Sequence, residues 1–420
     1  MRAVGLITEY NPFHNGHRQH LRASLEAAGA EVAVAVMSGH FLQRGEPALV
    51  DKWLRAEMAL RCGIDLVIEL PFPFACGSAP HFALGAVRCL DALGVSSLCF
   101  GSESGALENL ERVARLLDQH RVQVADETAA LLRQGVHFAA ARGRAYAGLC
   151  DDDAACLVLA QPNNILGIEY LRALWATGSS IRPLTISRIG AGYHDETVGE
   201  GNVASATGIR QRLSAGKKVD GLLPRASADI LRRALGKGLS PDDDLLHRLL
   251  LAQIFRGRDY LRTLYQVENG LDARLAEAAV SSADMQALVE AVKVRQFTRT
   301  RIQRILMYVL NDVRADLMEG MLAAGPFYLR LLGSSSRGRA FLGAARKRRK
   351  LPLLTNLSRV FAQLRRAYGV DAERYRLARA MFDLDVRATC NYSLLLPGWS
   401  RANRNRDFYE APLAVDAKIR

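Results

Sequence analysis

The chain of 420 residues contains no uninterrupted run of eighteen apolar residues, and its N-terminus lacks the pattern of a secretion signal. Its seven cysteines, an odd number, include no Cys-x-x-Cys pair. Internal repeats and low-complexity segments are missing as well. These absences argue against a membrane protein, a disulfide-stabilised secreted fold and a cysteine-based zinc site. They predict a cytoplasmic protein with reduced, buried thiols.

The first 325 residues carry no excess of either charge, with 36 basic and 36 acidic side chains. Residues 326–420 hold 20 Lys and Arg against 7 Asp and Glu, so the whole net charge of +13 lies in the last quarter. A neutral region joined to a strongly basic one indicates a polyanionic partner, with nucleic acid as the leading candidate. A basic surface that serves solubility alone is the alternative.

Short apolar runs alternate with helical periodicity over the first 190 residues. Five of these runs are predicted strands: Ala3–Ile7, Val32–Met37, Leu66–Leu70, Ser97–Phe100 and Ile181–Ile186. The alternation predicts an α/β fold whose Rossmann-like N-terminal domain contains a parallel, doubly wound sheet. From about residue 242 the pattern is helical almost throughout, which predicts a mostly α-helical C-terminal domain. The predicted domains are residues 1–230, with a helical insertion at about 104–160, and residues 231–420.

The segment after the first predicted strand is the strongest functional signal. It places His14, Gly16 and His17 at the start of a helix. Free N–H groups and the helix dipole attract phosphate there, and imidazoles spaced i and i+3 face one ligand. Strand, His-Asn-Gly-His and helix together resemble the His-x-Gly-His signature of the nucleotidyltransferase superfamily. Histidines that merely begin a helix are one alternative; a metal site with His20 is disfavoured, because no interposed Glu and no nearby Cys pair accompany them.

Other polar segments follow predicted strands, where an open α/β sheet binds its ligands. Gly101 would let the backbone approach a nucleotide closely. One of Asn163 and Asn164 is expected to cap a helix, which leaves the other for a base or ribose. Arg188 is placed to meet charge that develops on a phosphate.

A second phosphate site is indicated by Ser205, Thr207 and Arg210, because small hydroxyl residues begin a helix and Arg follows one turn later. Upstream, the loop containing Gln43 and Arg44 is long enough to fold over a substrate. Lys52 and Arg55 share one face of the following helix. They are expected to be solvated charges or to reach triphosphate oxygens.

These segments together resemble the tRNA(Met) cytidine acetate ligase family. The resemblance rests on residues 5–17, 37–48, 51–59, 100–105, 162–170, 187–195 and 205–210, and it extends to 301–310, 331–343 and 378–392. It implies an ATP-dependent ligase that activates acetate to acetyl-adenylate, releases pyrophosphate and acetylates N4 of the wobble cytidine of elongator tRNA(Met). One departure is His40, where the family motif has Asn.

The resemblance also implies a set of site residues. His14, His17 and Arg188 would act in catalysis on ATP, and Mg²⁺ is expected to accompany the ATP phosphates. The implied ATP-binding residues are Ile7, Thr8, Glu9, Tyr10, Asn11, Pro12, Phe13, His14, Asn15, Gly16, His17, Arg18, Gln19, His20, Gly101, Asn163, Asn164, Arg188, Ser205, Thr207 and Arg210. No residue is predicted to hold a metal by itself.

The basic C-terminal domain would bind the tRNA. Seven basic side chains form the predicted phosphate-contacting cluster: Arg337, Arg339, Arg346, Lys347, Arg348, Arg349 and Lys350. Arg401, Arg404 and Arg406 lie near Trp399, Phe408 and Tyr409 in the sequence. Those aromatic side chains would stack on an unpaired base or pack in the core.

Two other functions are compatible with parts of this pattern. One is a small-molecule adenylyltransferase of cofactor synthesis, which would not need the basic appendage. The other is a non-catalytic RNA-binding protein with a degenerate nucleotide site, which would not need His14, His17 and Arg210.

Overall fold

The computed structural model describes residues 1–103, 105–136, 138–150, 158–159, 161–187, 204–294 and 297–415. Within these ranges, eight strands form one mixed sheet in the order β5-β4-β1-β2-β3-β6-β7, with β8 also paired to β6. The strands are β1 Ala3–Thr8, β2 Val32–Ser38, β3 Leu66–Leu70, β4 Ser97–Ser102, β5 Arg182–Ser187, β6 Leu329–Ser335, β7 Leu353–Leu354 and β8 Leu413–Val415.

Strands β1 to β5 are parallel and lie within two residues of the five sequence-predicted strands. Every residue of β2 is buried, as expected for a parallel strand that is covered on both faces. Val34 and Val36 belong to the hydrophobic core on one face, whereas Ala33 and Ala35 belong to that on the other. The predicted α/β class and doubly wound sheet are therefore confirmed.

Helices cover both faces of the sheet and make up most of the C-terminal region. They are α1 Asn15–Ala28, α2 Lys52–Arg61, α3 Phe72–Ala75, α4 Ala79–Leu93, α5 Leu107–Gln119, α6 Arg121–Arg133, α7 Phe138–Cys150, α8 Pro162–Ala176, α9 Ala206–Ser214, α10 Arg225–Gly236, α11 Asp243–Ile254, α12 Arg258–Leu261, α13 Leu271–Ser281, α14 Met285–Val292, α15 Arg299–Leu310, α16 Ala315–Ala324, α17 Ser336–Ala345, α18 Val360–Tyr368, α19 Ala372–Ser393 and α20 Arg406–Tyr409. Short 3₁₀ helices occur at Leu357–Arg359 and Arg401–Asn403. In the described part of the chain, no helix is both long and apolar enough to cross a membrane.

The C-terminal region also supplies strands, which the sequence analysis did not predict. Strand β6 pairs antiparallel to β3, and β7 and β8 pair with β6. Arg330 interrupts the apolar pattern of β6, yet its side chain is only 4% exposed because it is paired with Glu69 and Asp407. The C-terminal region thus extends the N-terminal sheet. The division near residue 230 stays a prediction.

Candidate active site

A cavity of about 460 Å³ lies at the carboxyl ends of β1, β4 and β5. This is the edge at which open parallel sheets bind ligands, and the volume suits a small molecule. Residues at or just after the carboxyl ends of these strands line it, including Glu9, Gly101 and Ser187. The sequence motifs after β1, β4 and β5 therefore converge on one space.

The start of α1 forms one wall of the cavity. His14 is the N-cap residue; its N–H donates to Nδ1 of His17 over 3.2 Å, and its side chain accepts from the backbone of His17 in return. The two imidazoles are stacked with ring centroids 3.7 Å apart. Because Nδ1 of His17 accepts, the neutral ring carries its proton on Nε2, from which it can donate to a phosphate oxygen.

The backbone before α1 turns sharply. Tyr10 has a φ of 49°, in the left-handed region that a bulky residue rarely occupies. Its ring lies edge-on to His17, with centroids 5.0 Å apart. Unusual backbone of this kind is concentrated at functional sites, and here it brings the turn and the helix start to the same cavity.

The start of α9 forms a second, similar wall. Ser205 caps the helix by accepting from the Gly208 N–H over 3.0 Å, and Ser205, Thr207 and Arg210 all line the cavity. Arg210 donates to the Asn11 carbonyl at 3.1 Å and pairs with Glu46 at 3.1 Å. Two helix N-termini and a guanidinium thus face one space, which is a favourable environment for a polyphosphate.

A hairpin-like loop closes the cavity on another side. It runs from Phe41 to Pro47, and Gln43, Arg44 and Glu46 line the cavity. The Gln43 carbonyl accepts from Arg304 at 3.3 Å. Gly45 has a φ of 78°, and a Cβ there would overlap the backbone nitrogen of Arg304, so only glycine fits against α15. The loop therefore connects the cavity to the C-terminal helices.

Asn163 and Asn164 have different surroundings. Asn163 lines the cavity and donates through Nδ2 to Glu103 at 2.7 Å, whereas Asn164 is fully buried and accepts from the Glu103 N–H at 3.0 Å. The Glu103 carboxylate accepts from both backbone N–H groups, at 3.2 and 2.8 Å. The expectation that one Asn caps the helix is wrong, because a carboxylate from another segment satisfies its N-terminus.

The remaining sequence-predicted ATP-binding residues are divided between the cavity and its supports. Those that line the cavity, in addition to the residues above, are Ile7, Thr8, Gly16, Gln19 and His20. Pro12, Phe13, Asn15 and Arg18 do not line it; Phe13 is buried in a core, and Asn15 donates to the Gly221 carbonyl at 2.6 Å. Arg188 lies outside the described residues.

The expectation that Lys52 and Arg55 are solvated or reach triphosphate oxygens is wrong. Neither side chain is exposed, and neither lines the cavity. Both side chains are fully buried. Lys52 pairs with Glu69 and Asp407, and Arg55 donates to the carbonyls of Val50, Glu9, Ser38 and Gly39. These cations stabilise the fold beneath the cavity.

His40 also faces this buried region. Its Nδ1 lies 3.3 Å from the Thr389 hydroxyl, and its ring packs on Trp53 and Tyr392. Burial, followed by the nearby Lys52 charge, lowers the pKa of His40 well below its usual value, so the ring is neutral near pH 7. The departure from the family motif at this position therefore lies away from the cavity surface.

The apolar part of the lining was missed by sequence reasoning. It includes Phe82, Phe100, Leu166, Tyr170 and Ile186, which together offer a surface on which a flat base can pack. Asn163, Leu166 and Tyr170 are spaced i, i+3 and i+7 and so share one face of α8, a periodicity that could have found two of them. Phe82 comes from α4, and no local signal connects it with the site.

The predicted tRNA-contacting cluster lies at the amino ends of the strands, on the opposite side of the sheet from the cavity. Lys350 pairs with Asp91 at 2.6 Å, in the last turn of α4, and Arg337 pairs with Asp65 at 3.3 Å, just before β3. Both acidic partners precede strands, so the cluster is at the amino ends, whereas the cavity is at the carboxyl ends. Arg346, Lys347 and Arg348 are exposed there.

Comparison with known proteins adds to this geometry. The family model described as HIGH Nucleotidyl Transferase matches residues 1–407. The fold and the cavity thus define a nucleotidyltransferase.

Individual relatives of the chain define the family more narrowly. The tRNA(Met) cytidine acetate ligase of Syntrophotalea carbinolica is 72% identical over 100% of both chains, and that of Bacillus subtilis is 36% identical over 99% of this chain and 98% of its own. The apo crystal structure (form I) of Thermotoga maritima TmcAL has a TM-score of 0.91 and 37% identity, and the form bound with alpha-thio ATP has 0.87 and 35%. Each covers 99% of this chain and 100% of its own. The chain belongs to the tRNA(Met) cytidine acetate ligase family, which confirms the resemblance found in the sequence.

Proposed function

We propose that this protein is an ATP-dependent ligase that activates acetate as acetyl-adenylate and transfers the acetyl group to N4 of the wobble cytidine of elongator tRNA(Met) in the cytoplasm. The observation that carries the proposal is the convergence of the helix starts at His14 and Ser205 on one cavity. A chain related over its full length to curated ligases of this name supports the choice of substrates.

In the activation step, an acetate oxygen attacks the α-phosphorus of ATP and pyrophosphate leaves. Negative charge then builds on the α-phosphate and on the leaving group, where aligned donors are most effective. His17 Nε2 and the N-terminus of α1 would meet the α- and β-phosphates. Ser205, Thr207, Arg210 and Arg188 would hold the remaining oxygens, while Gly101 and Asn163 would contact the nucleoside.

Mg²⁺ belongs to the proposal as the counterion of the ATP phosphates. This ion usually keeps several waters and takes one or two carboxylates together with phosphate oxygens. Among the described residues, no group of three or more His, Cys, Asp or Glu side chains is placed to hold a metal, and Glu46 is already paired with Arg210. Phosphate oxygens and water would therefore provide most of its ligands.

The proposed activation predicts acetate-dependent exchange of pyrophosphate into ATP. The purified protein is assayed with acetate, propionate or nicotinamide mononucleotide, each with and without tRNA(Met). Exchange that needs acetate is expected, because an acetate oxygen is the proposed nucleophile toward ATP. Exchange with the mononucleotide would instead identify an enzyme of cofactor synthesis, and no exchange under any condition would leave an RNA-binding role alone.

We propose further that residues 1–230 form the catalytic domain and residues 231–420 the tRNA-binding domain. Two groups of basic side chains in the C-terminal region support this assignment. The cluster of exposed side chains around Arg346–Lys350 lies at the amino ends of the strands, whereas Arg304 lies beside the cavity loop. A tRNA whose wobble base enters the cavity would meet Arg304 near the anticodon and the cluster farther along its backbone.

Charge reversal in the cluster is expected to weaken tRNA binding without changing acetate activation. The double variant Arg346→Glu and Arg348→Glu should lower tRNA affinity. The slope of log K against log salt concentration should become shallower by about 0.9 for each phosphate contact that is lost. Arg225→Glu is the matched control, since this side chain is 98% exposed on α10. Unchanged affinity in the double variant would restrict tRNA contact to the cavity edge of the sheet.

A further inference from the structure

Glu9 is a carboxylate that the fold holds in place at the cavity through two hydrogen bonds. It directly follows β1 and lines the cavity together with His14 and His17. Its carbonyl accepts from Arg55 at 2.7 Å, and its Oε1 accepts from the Gln43 N–H at 2.8 Å. The loop residue Gln43 and the buried Arg55 thus hold the side chain and the backbone of Glu9 in place.

The surroundings of Glu9 favour the protonated carboxyl group more than bulk water would. Burial and the neighbouring Glu46 raise the pKa of Glu9 above its ordinary value, although the Gln43 N–H, Arg210 and Arg55 partly offset this. Cys76 and Tyr170 are further titratable groups that interact with it. A carboxylate with a raised pKa binds a proton more strongly than an exposed one, which suits a general base.

Acetyl transfer needs a proton acceptor that activation does not need. The lone pair of the exocyclic N4 is delocalised into the cytosine ring, so the amine is a weak nucleophile unless it loses a proton as it attacks. Acetate attacks phosphorus as an anion and has no proton to lose. The two half-reactions therefore differ in their demand for a base.

Two other titratable side chains of the cavity, His17 and Glu46, are less suited to this role. Nδ1 of His17 already accepts from the His14 N–H, and Glu46 is paired with Arg210. In the described part of the chain, the Gln43 N–H engages Oε1 of Glu9, so that Oε2 is the oxygen to which a proton can move.

We propose that Glu9 is the general base of the acetyl-transfer step. N4 attacks the acetyl carbonyl carbon and its proton moves to Oε2 of Glu9. The tetrahedral intermediate then collapses, the bond between the acetyl carbon and the phosphate oxygen breaks, and AMP leaves with the electron pair. Glu9 finally releases the proton to solvent. This role rests on the proposed function of the cavity.

The Glu9→Gln variant separates the two half-reactions. Its side-chain carbonyl can still accept from the Gln43 N–H, so the loop should keep its position. Acetyl transfer to tRNA(Met) is expected to fall about 10²- to 10⁴-fold, the usual contribution of a general base. Acetate-dependent pyrophosphate exchange should also fall, because Glu9 lines the proposed ATP cavity, but by a smaller factor than acetyl transfer, since acetate has no proton to lose. Hydroxylamine, which is nucleophilic without a protein base, should still trap the activated acetyl group as the hydroxamate.

A pH profile and a matched variant complete the test. In the wild type, transfer should rise with pH as Glu9 ionises, and Glu9→Gln should lack that rise. Glu46→Gln removes the neighbouring carboxylate and its pair with Arg210, so exchange and transfer should fall together. An equal loss of both activities in Glu9→Gln, or no loss, would overturn the role of Glu9. Absence of acetate-dependent exchange in the wild type would instead overturn the proposed function.

Discussion

Replacing Lys52 with alanine is expected to lower the free energy of unfolding by about 3–5 kcal/mol, the usual effect of removing one partner from a buried ion pair. Nζ of Lys52 lies 2.9 Å from Glu69 Oε1, 2.9 Å from Asp407 Oδ1 and 3.1 Å from the Thr389 hydroxyl. Arg330 pairs with the same carboxylates, at 2.6 Å to Asp407 and 3.2 Å to Glu69. Without Lys52, two buried carboxylates would share a single guanidinium. Urea unfolding of wild type and variant measures the change.

The charges in this cluster are maintained by one another. Burial alone would raise the pKa of Asp407, but Arg330 and Lys52 outweigh it and lower that pKa to about 2. The cluster joins α2 and β3 to β6 and α20, so the end of the chain is tied to the N-terminal sheet. Loss of Lys52 should therefore weaken the packing between distant parts of the sequence.

A surface pair on the same helix provides the control. Arg61 of α2 pairs with Glu57 at 2.7 Å and is 51% exposed, so Arg61→Ala should change the unfolding free energy by at most about 1 kcal/mol. A Lys52→Ala protein that unfolds within 1 kcal/mol of the wild type would show that the buried carboxylates are neutralised without this amine.

The parallel strands and the phosphate-binding motifs could be predicted because their signals are local. Each apolar run is short and is followed by a polar, glycine or proline residue, and the carboxyl ends of parallel strands must meet on one side of the sheet. His14 and His17 are three residues apart at the start of one helix. Ser205 caps the start of α9, and Arg210 lies five residues later in the same helix. Such relations need no knowledge of tertiary contacts.

What could not be predicted depends on partners that are distant in the sequence. Lys52 and Arg55 resemble surface charges until Asp407, more than 350 residues away, is known to lie beside the former. Strand β6 was not predicted for the same reason. It contains Arg330, and a charge within a short apolar run is typical of an exposed segment. The basic side chains around Arg346 are a clear sequence feature, but their location at the amino ends of the strands follows only from the fold.

Replacing His17 with alanine is expected to reduce acetate-dependent pyrophosphate exchange about 10²- to 10³-fold, as the loss of one preorganised donor to developing charge usually does. The reason is that the hydrogen bond from the His14 N–H to Nδ1 of His17 leaves the proton of this cavity imidazole on Nε2. Affinity for tRNA(Met) should stay nearly unchanged, since the proposed contacts with the tRNA backbone are made elsewhere, at Arg304 and at the cluster around Arg346. Exchange kinetics and a tRNA-binding assay on the same preparation measure both effects.

His17 also supports the start of α1, and a second variant separates this role from catalysis. Loss of a helix cap costs about 0.5–2 kcal/mol, so His17→Ala should be less stable than the wild type. His17→Gln can still accept from the His14 N–H, because Gln at the third helical position completes a capping box, and it should recover stability. Exchange in His17→Gln should nevertheless stay well below the wild type, because the imidazole donor is gone. Full activity in His17→Ala would show that other groups donate to the phosphates. The start of α9, with Ser205, Thr207 and Arg210, would then be the main candidate.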